Sequence, residues 1–191
     1  MILLINACVR KESRTQRLAM ALLEKLKERE QEIQEVRLSE ITFPVADEAF
    51  LNKRDTWIAN KEWSRPLFEL ATQFACADTI VVAAPYWDLS FPAALKQYFE
   101  QINVMGITFQ YTPEGTPMPL CKAGELYYVT TAGGAFVPDE YGFGYVKTLA
   151  QSFYGIKDVR LIKATGFDIY GADVEAIMND AIRAIQSSPT G

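Results

Sequence analysis

The sequence predicts a doubly wound α/β domain: a five-stranded parallel sheet with helices on both faces, spanning residues 1–191 as one unit. Three observations predict it. Short apolar runs of strand length alternate with amphipathic helical stretches from end to end, the pattern of successive β-α-β units. A length of 191 residues suits one domain, and an apolar content of 49% is enough to build a core. No linker, internal repeat or low-complexity stretch divides the chain. Right-handed crossovers between parallel strands then place helices on both faces.

Residues 1–7 form an apolar run, expected as a buried first strand. Residues 13–30 are expected as a helix, because Leu18, Leu22 and Leu26 recur once per turn while the run EKLKEREQE supplies a solvated face. Residues 33–38 alternate and suit a strand towards the sheet edge. The stretch 40–54 holds Pro44 and no clear period, so it is expected as a loop, with a second helix over 56–77. Residues 78–84, DTIVVAA, make the clearest central strand. Pro92 opens a third helix running to 102, in the first turn, where its missing N–H costs nothing. Residues 104–120 break the alternation and read as a short extended excursion with a turn at Glu114-Gly115. A fourth core strand over 125–131, a helix between 141 and 154, a fifth strand over 159–167 and a closing helix over 172–186 complete the pattern. The tail SSPTG is expected to fray.

Composition excludes several classes of function. A net charge of −5 argues against general nucleic-acid binding, which needs a basic surface. No apolar run reaches the length of a membrane span, and the N-terminus lacks the basic region of a signal peptide, so a cytoplasmic protein is expected. Cys8, Cys76 and Cys121 are odd in number and widely spaced, which disfavours a disulfide framework or a cysteine-bound metal. There is no histidine, so Ser-His-Asp and Cys-His catalysis are absent and metal binding is not expected. An enzyme of this composition draws its chemistry from a bound cofactor.

In a doubly wound sheet, ligands sit beyond the carboxyl ends of the strands, where strand order reverses. Three loops are therefore of interest. The first, ACVRKESRTQRLA, lacks the glycines of a dinucleotide fingerprint. It offers the Ser13 and Thr15 hydroxyls, the N–H groups of a helix start, and Arg10, Lys11, Arg14 and Arg17 close by, a set suited to a phosphate monoester. Ser13 can equally act as a plain helix cap, with Gln16 completing a capping box. In the second, APYWDLSFP, Tyr86 and Trp87 can line a planar ligand such as a flavin ring, while the N–H groups of Asp88 and Leu89 can meet its polar edge. Trp87 and Phe91 can instead pack on neighbouring helices. In the third, VTTAGGAFVPDEYGFGY, Gly133-Gly134 permits a close backbone approach to a ligand and Thr131 adds a hydroxyl. The dense aromatics Phe136, Tyr141, Phe143 and Tyr145 suit a pocket wall or a subunit contact.

The chain resembles the flavodoxin-like NAD(P)H dehydrogenase (quinone) family, including the FMN-dependent NADH-azoreductases. PYWDLSFPAALKQYFEQINVMGITFQYTPEG is similar to that family's Pro-Met-Tyr-Asn-Phe turn, its proline-started helix and its Gly-Val-Thr-Phe strand. VTTAGG resembles the loop that meets the flavin ring, and SRT resembles the Ser-x-Ser phosphate loop. The resemblance implies FMN phosphate at Ser13, Arg14 and Thr15, with Arg10 and Pro85 among the cofactor residues. It implies flavin contacts at Tyr86, Trp87, Asp88, Leu89, Thr131, Ala132, Gly133 and Gly134. It also implies a homodimer whose active site lies at the interface, with Phe109, Phe136 and Tyr141 facing the substrate. Cys8 departs from a common serine, and Asp88 departs from the asparagine of the azoreductases. An ionised carboxylate cannot donate a hydrogen bond, and one facing the ring would disfavour an anionic reduced flavin.

The expected activity is hydride transfer from NADH or NADPH through the flavin to a quinone, azo or similar flat small-molecule acceptor, with Tyr86 or Tyr141 as a possible proton donor. A flavodoxin-type electron carrier serving protein partners is the alternative, and a flavin-free binding module is a third reading.

Overall fold

A computed structural model describes residues 1–188; residues 189–191, and with them most of the expected frayed tail, lie outside the described residues. The sheet is built from β1 (Ile2–Asn6), β2 (Ile33–Arg37), β3 (Thr79–Ala83), β6 (Glu125–Ala132) and β7 (Asp158–Thr165) in the order β2-β1-β3-β6-β7, every neighbour parallel. From β1 the chain builds outward to β2 on one side, then returns to lay β3, β6 and β7 on the other. The reversal point therefore falls between β1 and β3.

Side-chain alternation along the strands divides the core in two. Leu3, Ile5, Ile80, Val82, Leu126 and Tyr128 face one layer, where they meet residues of α3 (Glu69–Cys76), α4 (Ala93–Ile102) and α5 (Phe143–Ser152), including Phe74, Leu95, Tyr98, Phe99 and Val146. Ile2, Leu4, Val81, Ala83, Tyr127 and Val129 face the other, where they meet Leu18, Leu22 and Leu26 of α1 (Arg14–Leu26) and Met178 and Ile185 of α6 (Val174–Ser187). Burial on both faces is why β1 and β3 are apolar at every position but their polar ends. Among the described residues, no helix is long and apolar enough to cross a membrane.

Two expectations change. The stretch expected as a loop over 40–54 and a helix over 56–77 instead holds α2 (Glu48–Ala59), a break, and then α3. Asp47 caps α2, accepting from the Phe50 N–H at 2.8 Å. None of the residues of α2 is buried, so it shows no apolar period to read. The break precedes Pro66, which cannot continue a helix from the residues before it and instead opens a short 3₁₀ turn over Pro66–Phe68. Pro92 is the residue that caps α4 rather than one of its first turn. The excursion over 104–120 is an antiparallel hairpin of β4 (Phe109–Tyr111) and β5 (Pro117–Pro119), with Gly115 at φ +82° in its turn.

Candidate active site

The carboxyl ends of β1, β3 and β6 open on one cavity of about 270 Å³. Val9, Arg10, Glu12, Ser13, Arg14 and Thr15 line it from the first loop, Pro85, Tyr86 and Trp87 from the second, and Thr131, Ala132 and Gly133 from the third; Asp168 joins them from beyond β7. The three loops singled out in the sequence thus meet in space. A larger cleft of about 540 Å³, lined by Leu22, Leu26, Tyr127, Ile162 and Ile185 among others, lies between α1, α6 and β7 and contains none of these loop residues.

Ser13 caps α1: its Oγ accepts from the Gln16 N–H at 3.2 Å and its carbonyl from Arg17 N–H at 2.9 Å. The N–H groups of Arg14 and Thr15, in the first turn, make no hydrogen bond among the described residues. They point out of the helix N-terminus, where the dipole favours an anion. Capping and anion binding are therefore compatible, because they use different donors. Thr15 is buried, and its hydroxyl lies 2.7 Å from that of Thr131, tying the first loop to the end of β6. Both hydroxyls are thereby engaged with each other. Cys8 is buried beneath this loop with its N–H on the Asn6 side chain, and burial pushes its thiol up.

Tyr86 hangs from β6 through its N–H, 3.1 Å from the Thr131 carbonyl. Trp87 and Ser90 exchange both backbone hydrogen bonds, at 3.2 and 2.8 Å, closing a two-residue turn on Asp88 and Leu89. Both central residues have positive φ, +50° and +68°, the signature of a type I′ turn. That conformation directs the Asp88 and Leu89 N–H groups outward, and neither makes a hydrogen bond among the described residues. Asp88 and Leu89 are exposed on the turn and do not line the cavity wall. The Tyr86 hydroxyl is buried and does not open onto the cavity, so it is not placed to pass a proton to a ligand there.

Gly133 is explained by its neighbour. A Cβ there would stand 2.0 Å from Asp168 Oδ2, and the Asp168 N–H donates to the Gly133 carbonyl at 2.9 Å. Gly134 faces open space and its carbonyl accepts from Gly166 N–H at 3.1 Å, outside the cavity lining. Arg14 donates to Asp168 Oδ1 at 2.8 Å, with its guanidinium 5.0 Å from the Phe167 ring centroid.

The expected substrate residues do not converge here. Phe109 is buried, 7% exposed, edge-on to Phe153 at 5.0 Å and Tyr111 at 5.4 Å, because the β4–β5 hairpin folds back onto the body. Phe136 and Tyr141 are 79% and 62% exposed on the third loop and are not among the residues that line the cavity. Val9, Glu12 and Asp168 line the cavity without having been singled out. Asp168 follows the fifth strand, whose loop the strand-order rule does not point to; nothing else in TGFD marks it.

The site suits FMN. One end offers a helix N-terminus with free N–H groups and a hydroxyl, for a phosphate. The other offers Tyr86 and Trp87 beside outward N–H groups, for a flat ring with a polar edge.

Comparisons with known proteins place the fold. The model of a family described as having a flavodoxin-like fold matches residues 1–188. An FMN-dependent NADH:quinone oxidoreductase of Clostridium perfringens is 40% identical over 118 residues, covering 61% of this chain but only 59% of that relative's length. One from C. perfringens strain SM101 is 34% identical over 189 residues, covering 95% of this chain and 93% of that one. The crystal structure of an FMN-dependent NADH-azoreductase from Bacillus anthracis in complex with FMN superposes with a TM-score of 0.80 at 24% identity, covering 97% and 95% of the two chains.

Proposed function

The chain belongs to the flavodoxin-like fold family, and from that membership we propose that it is an FMN-dependent oxidoreductase passing hydride from NADH to a quinone, azo compound or similar flat acceptor. The observation that carries the proposal is the meeting of a phosphate-suited helix start, the Tyr86 and Trp87 aromatics and a glycine loop in one cavity. The names of the relatives favour NADH over NADPH as the donor.

In this reading the N–H groups of Arg14 and Thr15, the Ser13 hydroxyl and Arg10 hold the phosphate. The Asp88 and Leu89 N–H groups meet the polar edge of the ring, and the backbone of 131–134 lies along it. Tyr86 and Trp87 wall the cavity and exclude water from one side. FMN, when bound, supplies the two-electron hydride chemistry. The chain contributes position and electrostatics, since no histidine is present to act as an acid–base group.

A homodimer belongs to the same proposal. Trp87, Phe136, Tyr141, Ile169 and Tyr170 are all at least 43% exposed on the loops at the carboxyl edge of the sheet. An apolar rim of this kind fits a second copy together with a flat substrate better than the acidic docking face of a carrier. A cytoplasmic location goes with this reading.

The test is purification followed by NADH oxidation with menadione as acceptor. The proposal expects a yellow protein, or one activated by added FMN, whose steady NADH oxidation is greatly accelerated by menadione. Colourless protein that stays inactive with FMN contradicts it.

A further inference from the structure

Asp168 stands in a place that an FMN site does not explain. Its carboxylate lies on Gly133 at the cavity, where a Cβ would be 2.0 Å away, and its own N–H fixes it there through the Gly133 carbonyl. It takes Arg14 as its partner at 2.8 Å, and Phe167 holds the same guanidinium from below at 5.0 Å. Arg14 is one of two cations on the cavity lining, with Arg10, and they are matched by two anions, Glu12 and Asp168. A phosphate monoester carries close to two negative charges at neutral pH. The lining therefore presents no net positive charge to the ligand it is built to hold.

We propose that Asp168 sets the affinity of the site for FMN against binding, by holding Arg14 away from the phosphate and adding a negative charge beside it. The inference rests on the FMN reading. A neutral flavin, riboflavin, carries no phosphate and feels neither effect, so Asp168 also narrows the preference for FMN over riboflavin. With a side chain 67% exposed, Asp168 acts through water, and its influence is modest.

The experiment is an equilibrium titration of FMN-free protein, followed by flavin fluorescence quenching, on the wild type, Asp168→Asn and Asp168→Ala. Circular dichroism checks that each is folded; the alanine variant serves if the asparagine variant is not. Removing the charge tightens FMN by about two- to fivefold and leaves riboflavin unchanged. Arg14→Gln then costs more FMN affinity in the Asp168→Asn background than in the wild type, because Arg14 is free to be used. FMN affinity that is unchanged or weaker in both variants, with a wild type that binds, overturns the inference alone. Equal gains for FMN and riboflavin overturn it too, showing a steric cover rather than a charge. Failure of every variant to bind FMN overturns the proposed function along with it.

Discussion

Leu89 sits at φ +68° beside Asp88 at φ +50°, and only the second is a residue type that tolerates this conformation readily. A bulky side chain in the left-handed region costs roughly 1–2 kcal/mol, a cost met here to hold two N–H groups outward at the mouth of a cavity. Leu89→Gly removes that strain and little packing, since Leu89 is 46% exposed. It is expected to raise the stability of FMN-free protein by about 1 kcal/mol in urea unfolding; a lower midpoint would show that the Leu89 side chain contributes more than the strain costs. The turn's residues were legible in the sequence but its type was not. Type I′ turns favour Asn-Gly and Asp-Gly, and Asp-Leu gives no such signal. Tyr86 shows the opposite failure. It was found as a cavity residue, yet the direction of its hydroxyl depends on how β3 meets β6, which no local pattern encodes.

At the scale of elements, the strands were legible because both faces are buried and their apolar runs are unbroken, as in TIVVA of β3. The boundary between α2 and α3 was not, because α2 buries no residue fully; only Trp57 and Ile58 lean on the core, so it leaves no clear period in its sequence. The Asp47 cap was the readable signal. Asp78 shows how neighbouring elements are joined at the far end of the sheet. It precedes β3, pairs with Lys122 ahead of β6 at 2.7 Å and also with the Met1 amine ahead of β1. The Lys122 ammonium, with the amine adding to it, lowers the Asp78 carboxyl from 3.8 to about 2. A folded-state pKa below the unfolded one gives stability that is complete above the unfolded value and is lost as pH falls through the folded one. Stability is therefore expected to drop between about pH 4 and about pH 2, and Asp78→Asn to flatten that part of the curve in urea midpoints measured across the window. An unchanged slope in the variant would remove Asp78 from the account.

Across the whole molecule, strand order places the site. With β1 and β3 on either side of the reversal, the loops after β1, β3 and β6 are brought together although more than a hundred residues separate the first from the last. This is why three weak local signals combine into one cavity. Strand order also explains what escaped: Asp168 arrives from β7, one strand farther out, and reaches the cavity only by crossing the Gly133 loop. Phe109 was expected to face the substrate, and lies elsewhere because its hairpin turns it into the body of the protein. The central claim is that these three loops together hold one FMN. Hydrogen exchange of the FMN-free protein, with and without saturating FMN, tests it most directly. The account predicts slowed exchange at residues 9–15, 86–90 and 131–134 together, with 1:1 stoichiometry. Slowing confined to the cleft between α1, α6 and β7, or none anywhere, would contradict it.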